Sequence, residues 1–134
     1  MQFGAYIMKD LERMLQAVAD PTRVRILSLL EGRDELCVCE IVEALRLPQY
    51  AVSRHLRELK SAGLVSAWRQ GRWMHYRVNP RLPVRDRAIV VAICARADAE
   101  PEVREDLRGL KCCLRPRAGS RRRMIACCAR KDKI

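Results

Sequence analysis

Two short amphipathic stretches broken at Pro48, and followed at once by strand-forming residues around Gln70, Gly71 and Arg72, constrain this chain more than any other feature. In the first stretch, 37–46, Val38, Ile41, Val42 and Leu45 recur at helical spacing. In the second, 49–62, Val52, Leu56 and Leu59 turn one way and Gln49, Ser53, Arg57 and Lys60 the other, before Gly63 stops the helix. Two helices joined by so short a turn form a helix-turn-helix. From Leu64 to Val78 the pattern changes to that of a β-hairpin, with Arg69 and Arg72 at its tip.

The flanking segments supply a frame for this unit. A first helix is predicted over Tyr6 to Ala19, with Ile7, Leu11, Leu15 and Val18 on one stripe and Met8 and Met14 beside it. Asp20 and Pro21 supply an N-cap and a first-turn proline for a second helix, mostly buried and ended by Gly32. After Pro80 and Pro83, a helix over Val84 to Ala97 is apolar at Ala88, Ile89, Ala92 and Ile93, and a weaker one spans Pro101 to Gly109. The order predicts a mainly α fold with a β-hairpin wing, a winged helix, in one domain over residues 1–110. A basic, cysteine-containing tail follows at 111–134 and carries +8 of the +11 net charge.

That charge, 27 Lys plus Arg against 16 Asp plus Glu, favours a polyanionic partner. No membrane partner is expected, because the longest uncharged apolar run, Ala88 to Ala95, is far below the roughly 20 residues that span a bilayer. No secretory leader is visible either, since Lys9, Asp10, Glu12 and Arg13 interrupt the place of its apolar core. The expected location is the cytoplasm, where the seven cysteines are reduced thiols and metal binding or redox sensing becomes available.

The expected partner is double-stranded operator DNA. Gln49, Tyr50, Ser53, Arg54 and Arg57 lie on the polar face of the second helix of the pair and offer amide, phenol, hydroxyl and guanidinium groups to base edges in a major groove. Arg69 and Arg72 on the hairpin suit the phosphate backbone beside it. His55 and His75 fall inside these motifs and are assigned structural hydrogen bonding.

Glu35-Leu-Cys-Val-Cys-Glu40, Val52-Ser-Arg-His-Leu56, Ala62-Gly-Leu-Val65 and Gly71-Arg-Trp-Met-His-Tyr-Arg77 resemble, in order and at the same spacings, the ArsR/SmtB family of metalloregulatory repressors, over roughly Leu11 to Ile93. The resemblance implies a homodimer through the first and last core helices, bound to an imperfect palindrome. Pro48 stands where the family often has a serine cap, and Tyr50 where it often has proline.

Cys37 and Cys39 stand at the start of a helix, where the dipole favours thiolate, and soft thiolates select soft ions, As(III) among them. Residues two apart on an α-helix point roughly 200° apart, so both sulfurs hold one ion only if the first turn unwinds or lies outside the helix. Unwinding would distort the element that supports the reading helix and release DNA. In arsenic-responsive relatives a third thiol often stands where this chain has Val42. Cys112 and Cys113 are the favoured replacements, by the example of relatives that use an adjacent pair beyond the core. Cys94 is assigned to packing on the apolar stripe of a dimer helix, and Cys127 and Cys128 lie in the basic tail.

The resulting expectation is a repressor induced by As(III), inorganic or methylated, with Sb(III), Cd(II) or Pb(II) as other inducers. Cadmium or lead sensors of the family add cysteines ahead of the Cys-Val-Cys, and this chain has none before Cys37. A thiol redox regulator and a passive DNA-binding module with structural cysteines remain as alternatives. An enzyme is not expected, because no cysteine has arginine at the Cys-X5-Arg spacing that cradles an oxyanion.

Overall fold

A computed structural model describes residues 2–114, with side chains over 8–114. Six helices and a small sheet are arranged as α1 (Gln2–Val18), α2 (Pro21–Leu30), β1 (Leu36–Cys37), α3 (Val38–Leu45), α4 (Gln49–Ser61), β2 (Val65–Gln70), β3 (Trp73–Val78), α5 (Val84–Ala97) and α6 (Pro101–Cys113). Among the described residues no helix is long and apolar enough to cross a membrane.

The expected punctuation is in place. The Asp20 side chain accepts from the Arg23 N–H and caps α2, with Pro21 in the first turn. At the end of α4 the Leu64 N–H reaches the Leu59 carbonyl at 3.0 Å and the Gly63 N–H reaches Lys60 at 2.9 Å, with Gly63 at φ +77°. This is a Schellman cap. Gly71, at φ +66°, opens the two-residue turn between β2 and β3, so the hairpin lies where its turn residues put it.

Three differences from expectation matter below. Cys37 belongs to a short strand instead of a helix: β1 pairs antiparallel with β3, Leu36 opposite Tyr76 and Cys37 opposite His75, giving the sheet order β1-β3-β2. Such a strand exists only because β3 presents a free edge, which is a long-range property. On α1 the inward residues are Met14 and Ala17, with Leu11 and Val18 packed beside them, whereas Leu15 of the expected stripe is 49% exposed. On α5 the inward face is Val90, Cys94 and Ala97, so Cys94 belongs to the chain's own core and not to the outward stripe on which Ala88 and Ala92 lie exposed.

The core gathers around α2, whose Ile26, Leu27, Leu29 and Leu30 are fully buried against Leu36, Ile41, Val52, Leu56, Leu59 and Leu64. Leu110 of α6 enters the same core, which anchors a helix that runs four residues further than expected and brings Cys112 and Cys113 into the ordered fold. Cys127 and Cys128 lie outside the described residues.

Candidate nucleic-acid interface and thiol site

The polar face of α4 follows from its apolar one. With Val52, Leu56 and Leu59 turned into the core, the helical period leaves Gln49, Tyr50, Arg54 and Arg57 on the surface and Ser53 half-buried. Tyr50 is 76% exposed. Arg69 and Arg72 project at the hairpin end, both exposed. The hairpin is tied to α4, because Asn79 donates from its side chain to the Gly63 carbonyl at 2.9 Å and from its backbone to Leu64 at 2.9 Å. Arg77 lies over the Trp68 ring at 5.3 Å, and Trp68 stacks with His75 across the strands. A helix with four exposed polar or basic residues and a rigidly attached basic hairpin is the form that enters a major groove and flanks its phosphates.

Both histidines have structural neighbours. His55 Nδ1 accepts from Arg23 Nε at 3.3 Å, while the same guanidinium donates to the carbonyls of Gln16 and Ala17 at the end of α1. His75 Nδ1 lies 3.0 Å from a Glu35 carboxylate oxygen.

The thiol site is built by the junction of β1 and α3. Cys37 occupies the N-cap with extended backbone, φ −73° and ψ 148°, and its N–H donates to the Glu40 carboxylate at 2.8 Å. Cys39 follows inside the first turn. Because Cys37 is outside the helix, the 200° divergence does not apply, and the two sulfurs stand 2.7 Å apart. A disulfide bond between them would be about 2.05 Å, so the two sulfurs touch without being bonded to each other. Both residues are buried, 4% and 1% exposed. Of the two routes that the sequence left open for convergence, the strand boundary supplies one, and the helix need not unwind to bring the sulfurs together.

The other cysteines divide as follows. α6 lies against α3, close enough that a Cβ on Gly109 would come within 3.5 Å of the Ala44 carbonyl. One turn beyond Gly109, Cys113 is half-buried, and burial, then the Glu43 and Glu40 carboxylates of α3, push its thiol up to about 11. Cys112 beside it is exposed. The α6 pair is therefore brought to the flank of α3, though among the described residues no group of three His, Cys, Asp or Glu side chains is assembled closely enough to hold an ion. Burial pushes the Cys94 thiol, too, up to about 11, which fits a packing role.

Two residues that sequence reasoning missed stand out. Arg25 of α2 and the buried Asp106 of α6 form a partly buried two-point ion pair. Its trace in the sequence is an acidic residue at 106, on the helical stripe shared by apolar Val103 and Leu110.

Residues 20–67 match the family described as bacterial regulatory protein, arsR family. Over 70 residues the chain is 43% identical to the arsenic resistance transcriptional regulator ArsR1 of Pseudomonas putida, covering 52% of this chain and 55% of that protein. The chain thus matches little more than half of that relative's length. It is 44% identical over 63 residues to the HTH-type transcriptional regulator MJ1325 of Methanocaldococcus jannaschii, covering 47% of this chain and 71% of that one. Among solved structures, the homodimeric winged helix-turn-helix DNA-binding domain of Mb0332 from Mycobacterium bovis superposes with a TM-score of 0.61 at 29% identity, covering 71% of this chain and 84% of that chain. The fold is a winged helix-turn-helix.

Proposed function

The chain belongs to the arsR family of bacterial regulatory proteins, and from that premise we propose that it is a homodimeric transcriptional repressor that leaves its operator when its thiols bind As(III). The observation that carries the proposal is the contact of the Cys37 and Cys39 sulfurs at the N-terminus of α3, the helix that leads into α4. Two soft donors at one point suit a thiophilic metalloid better than a hard cation. Similarity to a regulator named for arsenic resistance agrees with that choice.

Gln49, Tyr50, Ser53, Arg54 and Arg57 read base edges, and Arg69 and Arg72 meet the backbone. Cys37 and Cys39 are the first ligands, each losing its thiol proton on binding. Trivalent arsenic takes a further sulfur, for which Cys112 and Cys113 are the candidates, supported by the packing of α6 along α3. Completing the site requires the end of α6 to approach the start of α3, or the pair to come from the partner protomer. In either case the filled state differs in shape from the DNA-reading one, the condition for an effector to shift the equilibrium.

The test is operator binding by fluorescence anisotropy under reducing conditions. As(III) is expected to release the DNA from the wild-type protein and to leave Cys37→Ser bound, while Cys112→Ser with Cys113→Ser raises the As(III) needed by roughly tenfold or more, within the usual range of coupling. An unchanged dose curve in the double variant removes that pair from the site. Sb(III), Cd(II), Pb(II) and peroxide titrated in parallel separate the arsenic reading from the other inducers and from redox sensing.

A further inference from the structure

α6 does more than carry two cysteines toward α3. Every nitrogen of the Arg25 guanidinium is engaged. Nε donates to Asp106 Oδ2 at 2.7 Å, Nη2 donates to Asp106 Oδ1 at 2.9 Å and also to the Leu45 carbonyl at 3.2 Å, and Nη1 lies 3.2 Å from Glu102. The Arg25 and Asp106 side chains are only 13% and 5% exposed. Leu45 is the last residue of α3, where carbonyls have no partner within the helix. The next residue, Arg46, sits in the left-handed region at φ 57°, and its Nη1 donates to Glu105 at 3.1 Å. Adjacent residues of α6, Glu105 and Asp106, thus hold the last residue of α3 and the one that follows it, through Arg25 at Leu45 and directly at Arg46.

We propose that Arg25 and Asp106 form a clamp that transmits displacement of α6 to the turn ahead of the reading helix, making α6 the lever by which its C-terminal thiols control DNA reading. The inference rests on the thiol-sensing function proposed above. Cys113 is seven residues, about two turns, beyond Asp106, so the two share a face of one stiff helix. Between them α6 packs beside α3, with room for about one methyl between Gly109 and the Ala44 carbonyl. A forked arginine–carboxylate pair is strongly directional, and with Asp106 buried the carboxylate cannot exchange its partner for water at low cost. When the end of α6 moves to complete a thiol site, Asp106 either draws Arg25 and the Leu45 carbonyl with it or loses them. Both outcomes disturb the start of α4.

The experiment uses the full chain carrying Asp106→Asn, nearly isosteric but uncharged. As(III) binding to the free protein is followed by arsenic–thiolate absorption in the near ultraviolet, and operator binding by anisotropy with and without As(III). As(III) affinity is expected to stay within about twofold of wild type, while the ratio of operator affinities without and with As(III) falls roughly tenfold, a loss of most of an ordinary coupling. An unchanged ratio in the folded variant overturns the clamp. Loss of As(III) affinity also overturns it, because Asp106 would then be shaping the thiol site itself. If Asp106→Asn does not fold, the exposed pair carries the test: Glu105→Gln should lower the ratio by about threefold, and an unchanged ratio there overturns the clamp. A wild-type protein that binds As(III) yet keeps its operator, or never binds it, overturns instead the function on which the clamp rests.

Discussion

Cys94 shows at a single residue how burial sets chemistry. Packed with Val90 and Ala97 on the inward face of α5, its thiol is pushed from 9.0 to about 11 by burial, with the Ser28 hydroxyl opposing and Glu31 and Asp98 adding. Below pH 9 the proton is held in both folded and unfolded chains. Between about pH 9 and pH 11 the unfolded chain releases a proton that the folded chain keeps, so stability falls as pH rises through that window, by roughly 2 kcal/mol. Urea unfolding under reducing conditions at both ends of the window should therefore show a shallower decline in Cys94→Ala than in wild type. Parallel declines would mean that this thiol titrates normally. Asp106 makes the complementary point: Asp106→Asn keeps the shape but leaves the Arg25 charge with only the exposed Glu102 beside it, the kind of loss that costs about 3–5 kcal/mol in a fully buried pair.

At the scale of elements, α4 and the hairpin behave as one piece because α4 ends in a Schellman cap and Asn79 fastens β3 to that cap. Gly63 is central to both. A Cβ there meets nothing within 4 Å, so Gly63→Ala carries only the conformational cost of φ +77°, about 1 kcal/mol. A correspondingly lower unfolding midpoint with an unchanged denaturant slope is expected, and an unaltered midpoint would mean that the cap reorganises without strain. α3 stands between two controlling contacts, the thiols and Glu40 at its start and Arg25 at its last carbonyl. Changes at its first turn are thereby placed one short helix away from the polar face of α4.

For the whole molecule the unfinished surface is the outer face of α5. Val24, Ile89, Ala92, Ile93 and Ala97 line a shallow apolar groove, and Val91 and Val84 are 42% and 88% exposed nearby. On α1, Met8 and Leu15 are exposed as well. An apolar patch of this kind marks an association surface, and a two-fold dimer uses the same patch twice. The similar Mycobacterium bovis domain is homodimeric. Ile89→Glu with Ile93→Glu should give a monomer in sedimentation velocity and weaken operator binding by at least about tenfold, since one protomer then grips one half-site. A dimer that persists would move the interface elsewhere.

What the sequence by itself determined is whatever local rules govern: the helices α2, α4 and α5, the hairpin about Gly71, the polar face of α4 and the close spacing of two cysteines, Cys37 and Cys39. Period, capping and turn chemistry act over a few residues and can be read in one dimension. Only the tertiary structure decided that Cys37 belongs to a strand, because that strand is made by the free edge of β3, and its extended backbone turns the sulfur toward Cys39. It also turned Leu15 outward and Cys94 inward, since which side of an apolar helix meets the core depends on its neighbours. The Arg25–Asp106 pair lies 81 residues apart in sequence. Two charges so distant carry no local mark of each other, and only the packing of α6 against α2 and α3 reveals that they meet.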